Sequence, residues 1–113
     1  MKQSESLKKN IDFKNVYQNG KSYANKYLVM YVSENPDGKS KLGISVSKKV
    51  GNSVVRHRLA RLIRESYRLN TNMFNSGLNI IVIARTTAKG KNFAEIESAF
   101  MHLCKMHKIA VHI

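Results

Sequence analysis

Lys41-Leu42-Gly43-Ile44-Ser45-Val46-Ser47-Lys48-Lys49-Val50-Gly51-Asn52-Ser53-Val54-Val55-Arg56-His57-Arg58-Leu59-Ala60-Arg61-Leu62-Ile63-Arg64-Glu65 contains a change of period that decides the architecture. From Lys41 to Ser47 the chain alternates. Leu42, Ile44 and Val46 fall on one face and Lys41, Gly43, Ser45 and Ser47 on the other, which predicts a strand with a single clear core face. Gly51-Asn52-Ser53 interrupts that pattern and caps a helix from about residue 53 to about 69. At roughly 100° per residue, Val55, Leu59, Leu62, Ile63 and Leu69 share an arc of roughly 120°, enough to dock this helix on a sheet. On the opposite side His57, Arg61, Arg64 and Arg68 fall within an arc of roughly 60° by the same arithmetic, with Arg56 and Arg58 on its flanks.

Working outward, Leu78-Asn79-Ile80-Ile81-Val82-Ile83-Ala84 is nearly all apolar and predicts a central strand buried on both faces. Asn92 opens a last helix with Glu95 three residues on as a capping box. Phe93, Ile96, Phe100 and Leu103 form its apolar stripe, and Lys105 and Lys108 stand near its C-terminal end. Toward the N-terminus, Asn10 reads as a cap for a helix over 10–19 carrying Phe13, Val16 and Tyr17, with Gly20 as a left-handed terminating residue. Tyr27-Leu28-Val29-Met30-Tyr31-Val32 is a β-type run, and Asn35-Pro36-Asp37-Gly38 is turn chemistry that predicts a hairpin into the strand at Lys41. Helix, two or three strands, helix, strand, helix is the order of an α+β domain with its helices packed on one mixed sheet.

The chain of 113 residues carries 20 Lys and Arg against 7 Asp and Glu, a formal charge of +13. Its length allows one domain with a modest core, and its 42% hydrophobic content lies in the globular range. No apolar run approaches the ~20 residues a bilayer requires. The opening Met1-Lys2-Gln3-Ser4-Glu5-Ser6 lacks a secretory apolar segment, so the expected location is cytoplasmic. Cys104 is the lone cysteine and makes no internal disulfide; in the last helix it reads as a small core residue.

Charge concentrates between Lys48 and Arg68, where Lys48, Lys49, Arg56, Arg58, Arg61, Arg64 and Arg68 face one acid, Glu65. Lysine outnumbers arginine fourteen to six in the chain, yet the helix uses arginine. A guanidinium presents a planar fork that grips phosphate oxygens bidentately and stacks on bases, which an ammonium cannot do. A solvated charged face would interleave glutamates four residues away, and only Glu65 is there. The pattern therefore favours a polyanion, with nucleic acid ahead of an anionic membrane surface. Phe13 and Tyr17 on one helix face, and Tyr27 and Tyr31 on one strand face, are compatible with either ordinary core packing or a groove that stacks single-stranded bases near Lys8, Lys9 and Lys14. Catalytic patterns are poor. The seven acids are scattered, no glycine-rich phosphate loop precedes a helix, and His102, His107 and His112 at five-residue spacing do not share a helix face.

Val46 to Glu65 closely resembles the signature of the bacterial ribonuclease P protein subunit, V-S-K-K-x-G-x-A-V-x-R-N-x-x-K-R-x-x-R-E. Similarity extends through Leu7-Lys8-Lys9-Asn10-Ile11-Asp12-Phe13, Ala24-Asn25-Lys26, Leu42-Gly43-Ile44-Ser45 and Ile80-Ile81-Val82-Ile83-Ala84-Arg85. Ser53, His57 and Ala60 depart from the pattern, replacing alanine, asparagine and lysine, so one amide-type contact and one phosphate contact change. The resemblance implies that residues 1–113 form a single ribonuclease P protein domain. It also implies an α–β sandwich of a mixed four-stranded sheet and three helices in the order αβββαβα, similar to the second domain of ribosomal protein S5, with a left-handed βαβ crossover. In function it implies the protein subunit of a ribonucleoprotein endoribonuclease that removes the 5′ leader from precursor tRNA. The RNA subunit would carry the chemistry and most of the Mg2+, with no membrane and no protein partner required. Lys48, Lys49, Asn52, Arg56, His57, Arg58, Arg61, Arg64 and Arg68 would contact the catalytic RNA. Phe13, Tyr17 and Tyr31, with Lys8, Lys9 and Lys14, would take the leader. The protein itself would supply no catalytic or metal-binding residue. Two other classes remain beside it, a noncatalytic RNA-binding protein of ribosomal type and an autonomous nuclease, the latter disfavoured by the scattered acids.

Overall fold

The apolar run at residues 78–84 needs neighbours on both edges and cover on both faces, and the chain provides all four. In the computed structural model, which describes residues 4–6, 10–35, 38–74 and 77–109, with 4–6 and 10–12 by backbone alone, this run is β5 (Leu78–Ala84), the middle strand of a five-stranded sheet. The remaining strands are β1 (Ser4–Ser6), β2 (Lys21–Ala24), β3 (Leu28–Glu34) and β4 (Ser40–Ser45), and the sheet order is β1-β4-β5-β3-β2. β4 runs parallel to β5 and to β1, while β3 runs antiparallel to β5 and to β2. The helices are α1 (Asn10–Asn19), α2 (Ser53–Asn70) and α3 (Phe93–Met106). The expected four-stranded mixed sheet with three helices is present, and the short β1 adds to its edge.

Alternation along β5 sends neighbouring residues to opposite faces. Ile80, Val82 and Ala84 meet Leu59, Ile63 and Tyr67 of α2 and Ile96, Phe100 and Leu103 of α3 in the main core. Ile81 meets Val16 of α1 in a smaller one, with Phe13, Tyr31 and Ile83 packed against it. The sheet is thus a partition between α1 on one side and α2 with α3 on the other.

Several sequence expectations are corrected. Asn35 to Gly38 does not close a hairpin between β3 and β4, because β5 lies between them and pairs with both. The turn is pinned to the start of β5 instead: Asn35 Nδ2 donates to Asn79 Oδ1 at 3.0 Å and to the Lys39 carbonyl at 2.8 Å, and the Asn35 N–H donates to the Gly77 carbonyl at 2.7 Å. The real hairpin joins β2 to β3. Gly20 is not a left-handed terminator, since the positive-φ glycines are Gly38, Gly77 and Gly90. It is small because a Cβ there would stand 2.6 Å from the Val16 carbonyl oxygen and 2.8 Å from that of Val32, where the end of α1 meets β3. Leu69, expected on the core face of α2, is 56% exposed. The buried arc centres on Leu59 and Ile63, and Ser66 and Tyr67 complete it.

Candidate nucleic-acid interface

α2 is built to present its arginines. Asn52 caps it, Oδ1 accepting the Val55 N–H at 3.0 Å, which fixes the helix start beside the turn of Lys48 and Lys49. Asn52 is therefore partly committed to the fold. Leu59 and Ile63 are fully buried, so the helix cannot rotate about its axis without exposing them. Opposite them, His57, Arg61, Arg64 and Arg68 are all exposed, as are Lys48 and Lys49. The stripe expected on α2 therefore faces solvent.

The flanking arginines differ. Arg58 is half-buried and donates from Nη2 to the Lys91 carbonyl at 3.0 Å, tying α2 to the loop before α3. Arg56 is also half-buried, and its Nε is buried with no hydrogen-bond partner among the described residues. By helical arithmetic Arg56 lies between Ile63 and Tyr67 in azimuth, roughly 80° from the edge of the stripe, so it belongs to the core side of the helix and is not a simple flank of the stripe. Arg68 is paired with Glu65, Nη2 to Oε2 at 2.8 Å, an exposed i,i+3 pair that water and salt weaken. Val54, His57, Arg58 and Arg61 surround a hollow of about 430 Å3 on the helix surface, and Val54 at its edge is 75% exposed. Charge counting gave no signal for Val54 there.

The second predicted set lies across the sheet. Phe13 and Tyr17 on α1 have ring centroids 6.3 Å apart, and Tyr17 meets Tyr31 of β3 edge-on at 4.8 Å. Burial and the neighbouring Tyr31 raise the Tyr17 hydroxyl above its ordinary pKa of 10.0, so it stays a neutral donor. Tyr17 remains 38% exposed while Phe13 and Tyr31 are half-buried, which gives an aromatic surface with one open ring and two supporting ones. Lys14 is exposed on the same helix. Lys8 and Lys9 lie outside the described residues. Tyr27 does not join this surface. It precedes β3 and packs against the main core, with the ammonium groups of Lys26 and Lys91 over its ring.

Among the described residues no group of three or more His, Cys, Asp or Glu gathers to hold a metal ion. The described residues thus offer a divalent ion no protein-only cage. No helix among the described residues is long and apolar enough to cross a membrane.

A basic, arginine-faced helix and an aromatic surface on opposite sides of one sheet accompany a family match that covers nearly the whole chain. The family model Ribonuclease P matches residues 1–108. The chain belongs to the ribonuclease P protein family. It is 68% identical over 106 residues to the ribonuclease P protein component of Lachnoclostridium phytofermentans, covering 94% of this chain and 91% of the relative. To that of Clostridium novyi it is 50% identical over 107 residues, covering 93% and 95%. The ribonuclease P protein of Staphylococcus aureus superposes with a TM-score of 0.87 at 39% identity, covering 93% of this chain and 96% of that one. That of Thermotoga maritima gives 0.82 at 30%, covering 89% and 96%. The αβββαβα sandwich inferred from resemblance is thus the fold of bacterial ribonuclease P proteins of known structure.

Proposed function

We propose that this chain is the protein subunit of ribonuclease P, acting with a catalytic RNA in the cytoplasm to remove the 5′ leader from precursor tRNA. The observation that carries the reading is the exposed row of His57, Arg61, Arg64 and Arg68 on a helix whose other side is locked into the core. Family membership supplies the kind of partner. In this reading Lys48, Lys49, Asn52, Arg56, His57, Arg58, Arg61, Arg64 and Arg68 contact the RNA subunit, with Arg56 and Arg58 contributing from half-buried positions. Phe13, Tyr17 and Tyr31 take the single-stranded leader, with Lys14 near its phosphates.

The division of labour is electrostatic. Folded RNA that gathers phosphates around a reacting bond repels itself, and cationic side chains offset that repulsion, which lowers the metal concentration the RNA needs. The Mg2+ requirement falls on the RNA subunit, and this chain's part is to bind, neutralise and orient. A neutral Tyr17 hydroxyl beside an open ring suits leader nucleotides, whose bases stack without sequence demand. Stacking and phosphate contacts to the leader distinguish precursor from mature tRNA, which lacks it.

The test is cleavage of precursor tRNA by the cognate RNA subunit at low Mg2+, with and without the protein. Stimulation by the protein is the expected result, and none would reject the assignment. A noncatalytic ribosomal role is not favoured, because the relatives from Lachnoclostridium phytofermentans and Clostridium novyi carry the ribonuclease P name.

A further inference from the structure

The β2–β3 turn meets the start of α3 at a cavity of about 470 Å3, lined in part by Asn25, Lys26, Tyr27, Asn92, Glu95 and His102. Its wall is held still. Asn25 Oδ1 accepts the N–H groups of Tyr27 and Leu28 at 3.2 and 3.0 Å, and its Nδ2 donates to the Ala99 carbonyl at 2.8 Å. Arg85 donates to the Asn25 carbonyl at 2.7 Å, and the Thr87 hydroxyl donates to the Lys26 carbonyl. On this fixed turn the ammonium groups of Lys26 and Lys91 stand 5.6 and 5.4 Å from the centroid of the Tyr27 ring. Two cations drawn to one ring repel each other, and among the described residues neither has a carboxylate partner. The acid that lines the cavity, Glu95, accepts the Asn92 N–H in the capping box at 3.2 Å. An anion bridging the two ammoniums would relieve the repulsion.

We propose that Lys26 and Lys91, positioned by the Tyr27 ring, form a phosphate clamp that continues the arginine face of α2 and takes the sugar-phosphate backbone of the RNA subunit. The continuity is structural: Arg58, at the edge of the α2 stripe, donates to the carbonyl of Lys91 itself. A strand lying along Arg61 and Arg58 therefore comes within reach of Lys91. RNA fits better than a small anion, because Lys26 lines an open hollow, Lys91 shares the Tyr27 ring with it, and both adjoin a longer basic track in a chain of +13. This inference rests on the reading of the chain as an RNA-bound subunit.

The experiment is equilibrium binding of the full chain to its RNA subunit between 50 and 200 mM monovalent salt, for the native protein, Lys26→Ala/Lys91→Ala, and Arg61→Ala as a control on the α2 stripe. Losing two phosphate contacts lowers the slope of log affinity against log salt by about 1.4 to 1.8, so the double variant's deficit shrinks roughly tenfold across that range. Tyr27→Phe keeps the ring and binds as the native protein does, while Tyr27→Leu moves part of the way toward the double variant. An unchanged slope in the double variant, with Arg61→Ala weakened, overturns the clamp and leaves the wider reading standing. If neither variant changes binding, the RNA-docking reading fails with it. A change seen only when the assembled ribonucleoprotein takes up precursor tRNA assigns the phosphate to the substrate and overturns the partner named here.

Discussion

Burial governs the chemistry of two side chains that carry reactive groups. Cys104 is fully buried on α3, and desolvation pushes its thiol up to about 12. The thiolate is the nucleophile, so the native protein resists iodoacetamide at pH 8 under conditions that label it fully in urea. Alkylation of the folded chain at the unfolded rate would contradict this packing. His107, just past the end of α3, donates from Nε2 to the Met30 carbonyl at 2.9 Å and meets the Tyr23 ring at 4.7 Å. Burial lowers its pKa from the ordinary 6.5, and the nearby Lys21 pushes in the same direction against the opposing effect of the hydrogen bond. Just below 6.5 the unfolded chain therefore binds more protons than the folded one, so stability from this group is complete above about 6.5 and is lost as pH falls through that window. The unfolding midpoint should rise between pH 5 and 7 and then level, and His107→Gln, which keeps a donor without the titration, should flatten the rise. An equally steep rise in the variant would assign it to other groups.

At the scale of the element, the N-cap of α2, Asn52, has a structural duty and a proposed binding duty, and the two can be separated. Asn52→Ala removes the cap that holds the Val55 N–H and should cost about 1 kcal/mol, a fall of about 4–8 °C in Tm for a domain near this size. Asn52→Asp keeps a capping oxygen and should hold Tm within a degree or two of the native value, yet it places an anion beside Lys48 and Lys49 and should weaken RNA binding. Calorimetry and RNA titration on the same two proteins check both halves, and equal Tm losses would show that the cap is not what stabilises the helix. The elements most legible in sequence were those with strong periods: α2, α3 with its Asn92–Glu95 box, and β5. β1 and β2 were harder because they are short and polar, and β2 is exposed along its whole length, so no alternation marks it. The strand pairing is hidden for a different reason. Asn35 to Gly38 correctly signals a reversal, but turn chemistry says nothing about which strand fills the gap, and β5, apolar on both faces, claims the central place from some forty residues further on.

Across the whole molecule, the sheet separates two surfaces whose sequence signals were of unequal strength. The arginine row is readable from helical period alone, since three arginines and a histidine within one arc demand a common wet face. The aromatic surface was not, because rings at helix and strand spacing read equally well as core. Phe13 and Tyr31 are in fact partly core, and Tyr27 turned to the other side of the sheet, where no local pattern could place it. Lys91 gave no signal either, because it meets Tyr27 and Arg58 only through long-range contacts. Separation by the sheet has an energetic consequence. Phe13→Ala/Tyr17→Ala should weaken binding of precursor tRNA to the assembled ribonucleoprotein by about 1–3 kcal/mol per lost stacking contact and leave mature tRNA unchanged. Arg61→Ala/Arg64→Ala should weaken docking of the RNA subunit and reduce its salt dependence, leaving the stability of the free protein near native because both side chains are exposed. With no shared partner, the losses in precursor affinity measured at saturating RNA subunit should add to within about 0.5 kcal/mol when all four substitutions are combined. A larger departure, in either sign, would mean that the two faces act on one continuous RNA path around the protein.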